Sequence, residues 1–441
     1  MQISILSVFP ELYSSFLQTS LIRRAQEQGI VAYASLAFKS FCDPKEHIDA
    51  PTFGHGAGML IRPEVVERAV EAQEAKHGKA FKIFFSPQGK QLNQFQLQRF
   101  AQELQQKNHL MLIAARYEGM DARVEAEYAD AVVSIGDFVL MGGDLPAMML
   151  LEGLLRQIPG VVGRQESVHE DSFTGPFLDY PEYTAPVIWK GKEVPAVVRS
   201  GNHAQLRGWR LDTAAEKTVH ERFDWARSVS MNKEQEQLVK KHIPAHYIVL
   251  MHDHVLIGGA TQEEGTTSVT SLDIHDIARS AKTYGLKNYF LVTPLHDQQK
   301  IVQRLLEFWL EGVGIDYNPH RHQSLKSVQL KSSLEEVIKF ITEQEGVAPI
   351  TIGTSARVLD AGGLAEQRII TYHDQAKIWA LHRPVLLVLG TGQGLTKELI
   401  DSLDYLLVPL EGFSDFNHLS VRSAAAVIFD RWLGYNIKFM Q

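Results

Sequence analysis

Cysteine is almost missing from this sequence. The 441 residues contain one, Cys42, which excludes an internal disulfide framework and multi-cysteine zinc sites and fits a reducing compartment. Long apolar runs are missing too: no stretch reaches the roughly 20 apolar residues a membrane helix needs. The opening MQISILSVFPELYSSF has no positive n-region and no small-residue cleavage site, so it reads as a buried strand followed by a helix. A cytoplasmic location without membrane association is expected. Positive charge is not in excess either. The formal net charge is -8, which argues against a generic nucleic-acid binder and leaves only local basic stretches, LRGWR (Leu206 to Arg210) and NPHRHQSLKSVQLK (Asn318 to Lys331). Each of those reads equally well as a solvated charged face. Phosphate-binding loops are absent: GHGAGM breaks G-x-G-x-x-G at its last place, and no G-x-x-x-x-G-K-[ST] occurs. There is no low-complexity tract and no close repeat.

What is present is an ordinary globular composition, 45% hydrophobic and 22% charged, in a chain long enough for two or three domains. Strand-like and helix-like segments alternate, which reads as α/β. MQISILSVF, KIFFSPQG and HLMLIAARYEG look like buried strands running into loops. Asp212 to His242 is charged with helical spacing. IPAHYIVLMHDHVLIGG then restarts with a proline and a new strand, and NYFLVTP, APITIGT, PVLLVLGTG and DYLLVPL continue the pattern. This places a boundary near Ile243, giving domains 1–243 and 244–441. Periodicity alone predicts an ordinary doubly wound sheet.

Glycines collect where strands meet loops, in FGHGAGM (Phe53 to Met59), SPQG (Ser86 to Gly89), ARYEGMD (Ala115 to Asp121) and SIGDFVLMGGDLPAM (Ser134 to Met148). Glycine permits close backbone approach, and parallel α/β sheets bind ligands beyond the carboxyl ends of their strands. Loops so poor in cations suit a ligand with an adenine ring and little negative charge. No dedicated metal-ligand cluster is visible, and HDH (His252 to His254) reads as a solvated turn.

SPQG, ARYEGMD and SIGDFVLMGGDLPAM, with EDSF (Glu170 to Phe173) and SGNHAQLRGWR (Ser200 to Arg210), stand in the order and spacing of the bacterial tRNA (guanine-N1)-methyltransferases, the TrmD family, and the resemblance spans 1–242. It implies a SPOUT-type fold, a parallel sheet tied in a trefoil knot that holds bent S-adenosylmethionine (SAM), with a helical tRNA-binding segment ending the first domain, and a homodimer. The cofactor-binding positions it implies are Pro87, Ala115, Tyr117, Glu118, Gly119, Ile135, Gly136, Asp137, Phe138, Val139, Leu140, Gly142, Gly143 and Pro146. The family also uses Mg2+. Methylating guanine N1 requires alignment of the methyl group, loss of the N1 proton and a counter-charge for O6. Asp171 matches the family's general base, and Arg156 matches the partner assigned here to O6. The plain alternatives are a helix N-cap for Asp171 and a surface cation for Arg156. Three departures stand out: Ala115 replaces a glycine, and His55 and Ala57 interrupt a glycine-rich loop.

The second half resembles another SPOUT domain, similar to ribose 2′-O-methyltransferases and to a family found fused behind TrmD. The implied site takes Arg279, Gly390, Gly392, Gly394, Leu410, His418, Leu419 and Ser420. Arg279 shares a helix face with His275. Asp273 and His418 stand where the 2′-O family has asparagines, and Gly392 where it carries glutamate. A degenerate docking or dimerisation module and a Rossmann nucleotide site at GTGQG are the rival readings; the glycine spacing of GTGQG fails the Rossmann fingerprint. A non-catalytic RNA-binding regulator is the outside reading for the whole chain.

Overall fold

The structure, a computed structural model, describes residues 1–163, 171–259, 262–356 and 368–435. It contains two compact units, one spanning Met1–Gly175 and the other Pro176–Phe439.

The first unit is built on strands β1 (Gln2–Ser7), β2 (Ala32–Ala37), β3 (Phe81–Gln91), β4 (His109–Ile113) and β5 (Ala131–Ser134), joined in the order β2-β1-β4-β3-β5. Every pairing is parallel. Helices cover both faces, so both must be apolar. Ile3, Ile5, Leu110 and Leu112 enter one core with Phe100, Leu104 and the helix Asp144–Arg156. Leu6, Met111 and Ile113 enter the other with the helix Pro63–His77. The period-2 alternation of strand side chains sorts neighbours to opposite faces.

The second unit has strands β6 (His246–Met251), β7 (Asn288–Val292), β8 (Val328–Lys331), β9 (Ile350–Thr354), β10 (Ile369–Ile370), β11 (Val385–Gly390) and β12 (Tyr405–Leu407) in the order β8-β7-β6-β11-β9-β12-β10, again all parallel. Ile248 and Leu250 face one core, Tyr247, Val249 and Met251 the other.

The charged helical stretch forms the helices His203–Glu221, Phe223–Ala226 and Lys233–His242. Sequence reading attaches it to the first domain. In the structure its apolar side chains Ala214, Ala215, Val219, Phe223, Ala226 and Val239 lie in the same core as β6 and β11. The compact units therefore meet between Gly175 and Pro176, upstream of the change in sequence pattern near Ile243. No described helix is long and apolar enough to cross a membrane.

Candidate active site

β3 does not pair evenly with β5. Phe85 and Lys90 both register with Val133, so Ser86–Gly89 loop out between them. Gly89 is needed where the strand returns, because a Cβ there would sit 2.7 Å from Val132 C and Val133 N. The bulge opens one side of a cavity of about 250 Å³.

Thirteen of the fourteen cofactor positions implied by the sequence line that cavity: Pro87, Ala115, Tyr117, Glu118, Gly119, Ile135, Gly136, Phe138, Val139, Leu140, Gly142, Gly143 and Pro146. Asp137 is exposed on the same loop and is not part of the lining. The sequence reading missed Phe85, Ser86, Arg116, Val133 and Ser134; each lies inside or directly beside a segment it had singled out.

The paired glycines earn their place by contact. Gly143 N–H donates to the Ala115 carbonyl at 2.8 Å, and Arg116 and Gly142 form an isolated bridge. A Cβ on Gly142 would lie 2.5 Å from Arg116 Cδ and 2.9 Å from Ala115 O, and one on Gly143 would lie 3.1 Å from Ala114 Cα. The loops after β4 and β5 thus touch backbone to backbone. Tyr117 holds a left-handed backbone at φ 60°. Ala115, where the resembled family has glycine, sits in the lining without a positive φ.

Arg116 brings the cavity little free positive charge. Its Nε donates to Asp144 Oδ2 at 2.7 Å, and Asp144, 1% exposed, also accepts from Ser7 Oγ at 2.5 Å and Tyr13 OH at 3.0 Å. Burial, reinforced by the Asp144 charge, holds the Tyr13 hydroxyl far above its ordinary pKa, so it stays a donor. Glu118, exposed and also in the lining, adds a carboxylate to a cavity whose arginine is already paired, an environment suited to a cationic ligand.

Arg156 ends the helix Asp144–Arg156 and meets Asp171 through two parallel bonds, Nε to Oδ2 at 2.6 Å and Nη2 to Oδ1 at 2.8 Å. The bonds to Asp171 raise the Arg156 pKa further. Both side chains are partly open, 42% and 31% exposed. Neither lines the cavity of its own chain. Among the described residues Asp171 caps no helix; its carbonyl accepts from the Thr174 hydroxyl and N–H. Glu170 of the EDSF match lies outside the described residues.

In the second unit, the loop after β11 is strapped to the chain leaving β6. Thr391 N–H donates to Met251 O, Gln393 N–H to Leu256 O, and Leu256 N–H to Gly394 O. Gly392 has φ +61°, and a Cβ there would sit 2.7 Å from Leu256 O. A Cβ on Gly390 would lie 2.8 Å from Leu395 N, while Gly394, at φ +104°, has open space around it. Ser420 accepts from Ser423 N–H and caps the helix Val421–Leu433. His418 and Leu419 are exposed on the loop before it, and Leu410 packs against the core. Arg279 is exposed, without an ion pair among the described residues, whereas His275 sits edge-on to Trp309. Arg422 pairs with Asp273 at 3.3 Å.

Two sequence expectations need correction. His252 is not in a solvated turn: it is fully buried, and burial pulls its pKa down to about 4. The strand pattern of β6 simply continues one residue further. The second basic stretch is also not a simple solvated face, because Arg321 lies over Trp309, Lys331 lies over Phe340 and His322 bonds to the Trp309 carbonyl. Among the described residues no group of three or more His, Cys, Asp or Glu side chains could hold a metal ion. The described donor set therefore offers no dedicated Mg2+ cage.

The profile described as tRNA (Guanine-1)-methyltransferase TrmD matches residues 1–228, and one described as SAM-dependent RNA methyltransferase matches 245–434. A tRNA (guanine-N(1)-)-methyltransferase of Nitratidesulfovibrio vulgaris is 36% identical over 98% of this chain and 99% of its own. One from Oleidesulfovibrio alaskensis is 34% identical over 98% and 99%. A shorter one from Moorella thermoacetica is 39% identical over 55% of this chain and 96% of its own. The chain belongs to the TrmD family of tRNA (guanine-N1)-methyltransferases and carries behind that domain a second one of the SAM-dependent RNA methyltransferase kind.

Proposed function

We propose that the first site methylates N1 of the guanine on the 3′ side of the anticodon in tRNA. The observation that carries this reading is the convergence of the glycine loops on one cavity, with the Arg156–Asp171 pair exposed outside it. SAM, when bound, supplies an electrophilic methyl on a sulfonium. As the N1–methyl bond forms and the sulfur–methyl bond breaks, the N1 proton passes to the Asp171 carboxylate and Arg156 meets the charge on O6. A carboxylate is too weak a base to strip guanine N1 beforehand, so proton loss accompanies methyl transfer. Arg156 occupies both Asp171 oxygens in the resting chain, and the incoming guanine has to share or displace that contact.

The pair lies outside its own chain's cavity, so the reading includes a homodimer in which one protomer's cavity faces its partner's pair. Exposed Phe138, Val139, Met141, Leu145 and Met149 on the adjoining loop and helix form an apolar face suited to that contact. A trefoil-knotted chain path in both sheets belongs to the same reading, supported in the first unit by the backbone contact between the loops after β4 and β5. The tRNA grip is assigned to 183–210. This stretch holds Lys190, Lys192, Arg199, Arg207 and Arg210 against the single acid Glu193, with Tyr183 and Trp189 exposed among them, a mixture suited to phosphates and unstacked bases. Transfer of labelled methyl from SAM to unmodified tRNA tests the whole; no base-methylated guanosine in the digest would sink it.

For the second unit we infer methyl transfer to a ribose 2′-hydroxyl, with the part of the sequence that carries this activity beginning at 244 and the helices before it packed onto the same sheet. The hydroxyl oxygen takes the methyl as its proton leaves to His418 or His275, and Arg279 orients the hydroxyl and its phosphate. Gly390, Gly392 and Gly394 shape the SAM loop. The docking or dimerisation alternative is favoured by one feature, the exposed Phe413, Phe416 and Leu419 before the last helix. Ribose-methylated nucleosides made by the full chain carrying Asp171→Asn separate the two.

A further inference from the structure

We propose that the second methyltransferase acts on the same tRNA that the first one holds, so that its substrate is tRNA and not an unrelated RNA. This rests on reading the second unit as a methyltransferase. The argument is mechanical. The helix His203–Glu221 carries Arg207 on its open N-terminal half and buries Ala214, Ala215, Thr218 and Val219 on its C-terminal half. That buried half lies in the core of the second parallel sheet, where Phe223 meets Trp379 edge-on at 4.6 Å between centroids. Arg227 completes the join: its guanidinium donates to the carbonyls of Asp430 at 2.9 Å and Arg431 at 2.6 Å.

Those two carbonyls belong to the last turn of the helix Val421–Leu433, whose other end is capped by Ser420 at the second site. Thirteen residues span about 20 Å, comparable to the width of an RNA stem. The segment that grips RNA and the helix that borders the second site are therefore parts of one packed body, with no free linker between them. A tethered module would sample any RNA. A fused one meets chiefly the RNA its own grip has caught, because grip and site are held at a fixed separation. The two methylations consequently share one binding step.

The test uses the full-length chain. Lys192 and Arg207 are exposed and make no ion pair among the described residues, so the double variant Lys192→Glu/Arg207→Glu alters the grip without opening the core; unchanged thermal unfolding checks this. Unmodified tRNA and ribosomal RNA are each incubated with SAM, and base- and ribose-methylated nucleosides are counted by mass spectrometry after digestion. We expect both products on tRNA, and a rise of about tenfold or more in KM for tRNA in both reactions together, with SAM binding unchanged. Ribose methylation at an unaltered KM beside impaired guanine methylation would overturn the proposal, as would preferred methylation of ribosomal RNA. A second unit that yields no product on either RNA removes its activity altogether, and this proposal with it.

Discussion

Arg156 and Asp171 hold each other through two parallel hydrogen bonds within one chain, fifteen residues apart. The aspartate proposed as proton acceptor is thus kept oriented by the cation proposed for O6. Replacing Asp171 with asparagine keeps the shape and removes the acceptor. We expect Asp171→Asn to bind SAM as the wild type does and to lose at least about a hundredfold in guanine methylation. Calorimetric SAM titration with single-turnover methyl transfer checks this, and near-normal turnover would remove Asp171 from the mechanism.

Because the pair forms in cis, mixing two damaged chains gives an asymmetric result. Heterodimers of Arg156→Ala with Asp171→Asn should stay inactive, since every site then lacks one member of a pair. Heterodimers of Gly142→Val with Asp171→Asn should recover activity at one site in two. The valine side chain would collide with Arg116 and the Ala115 carbonyl, damaging only the cavity of its own chain. Recovery in the first mixture and none in the second would mean that the pair and the cavity are assembled differently.

Phe223 gives a stability prediction. Buried against Trp379, it should cost about 3–5 kcal/mol when cut to alanine. Urea unfolding followed by fluorescence of the second unit should shift accordingly. An unchanged midpoint would mean that the helical stretch folds apart from that sheet.

Two buried histidines set a pH dependence. Burial lowers the pKa of His246 and of His252 to about 4, against about 6.5 in the unfolded chain. Below pH 6.5 the unfolded chain binds protons that the folded one refuses. Stability is therefore complete above that value and falls as pH drops towards 4, with a limiting slope of about 1.4 kcal/mol per pH unit for each histidine. Unfolding free energies measured from pH 7.5 to 4 should show this loss, and His252→Asn should remove about half of it, leaving the His246 share. A pH-independent profile across that window would contradict the assignment.

Much of the cavity was legible because glycine loops between buried strands announce themselves in the sequence. Arg116 was not, although it sits inside a quoted motif, because its role depends on Asp144 reaching it from another helix. The strands of both sheets were legible from their apolar runs. The destination of the helical stretch was not: an amphipathic pattern shows that Ala215 and Val219 are buried, never against which sheet. His252 was misread for a related reason, since a histidine beside Asp253 looks polar until the neighbouring strand and helix close over it.

Asp144 ties three distant parts of the first unit to one carboxylate: Ser7 at the end of β1, Tyr13 in the helix that follows, and Arg116 in the cavity wall. A buried charge that loses one partner is costly, commonly about 3–5 kcal/mol. Drift at these four positions is therefore constrained to move together. Among related chains, a neutral residue at position 144 should be accompanied by loss of the arginine at 116, and single exchanges should be rare. The wall of this cavity is inherited as a set, which limits how far its shape can diverge before the whole set must be replaced.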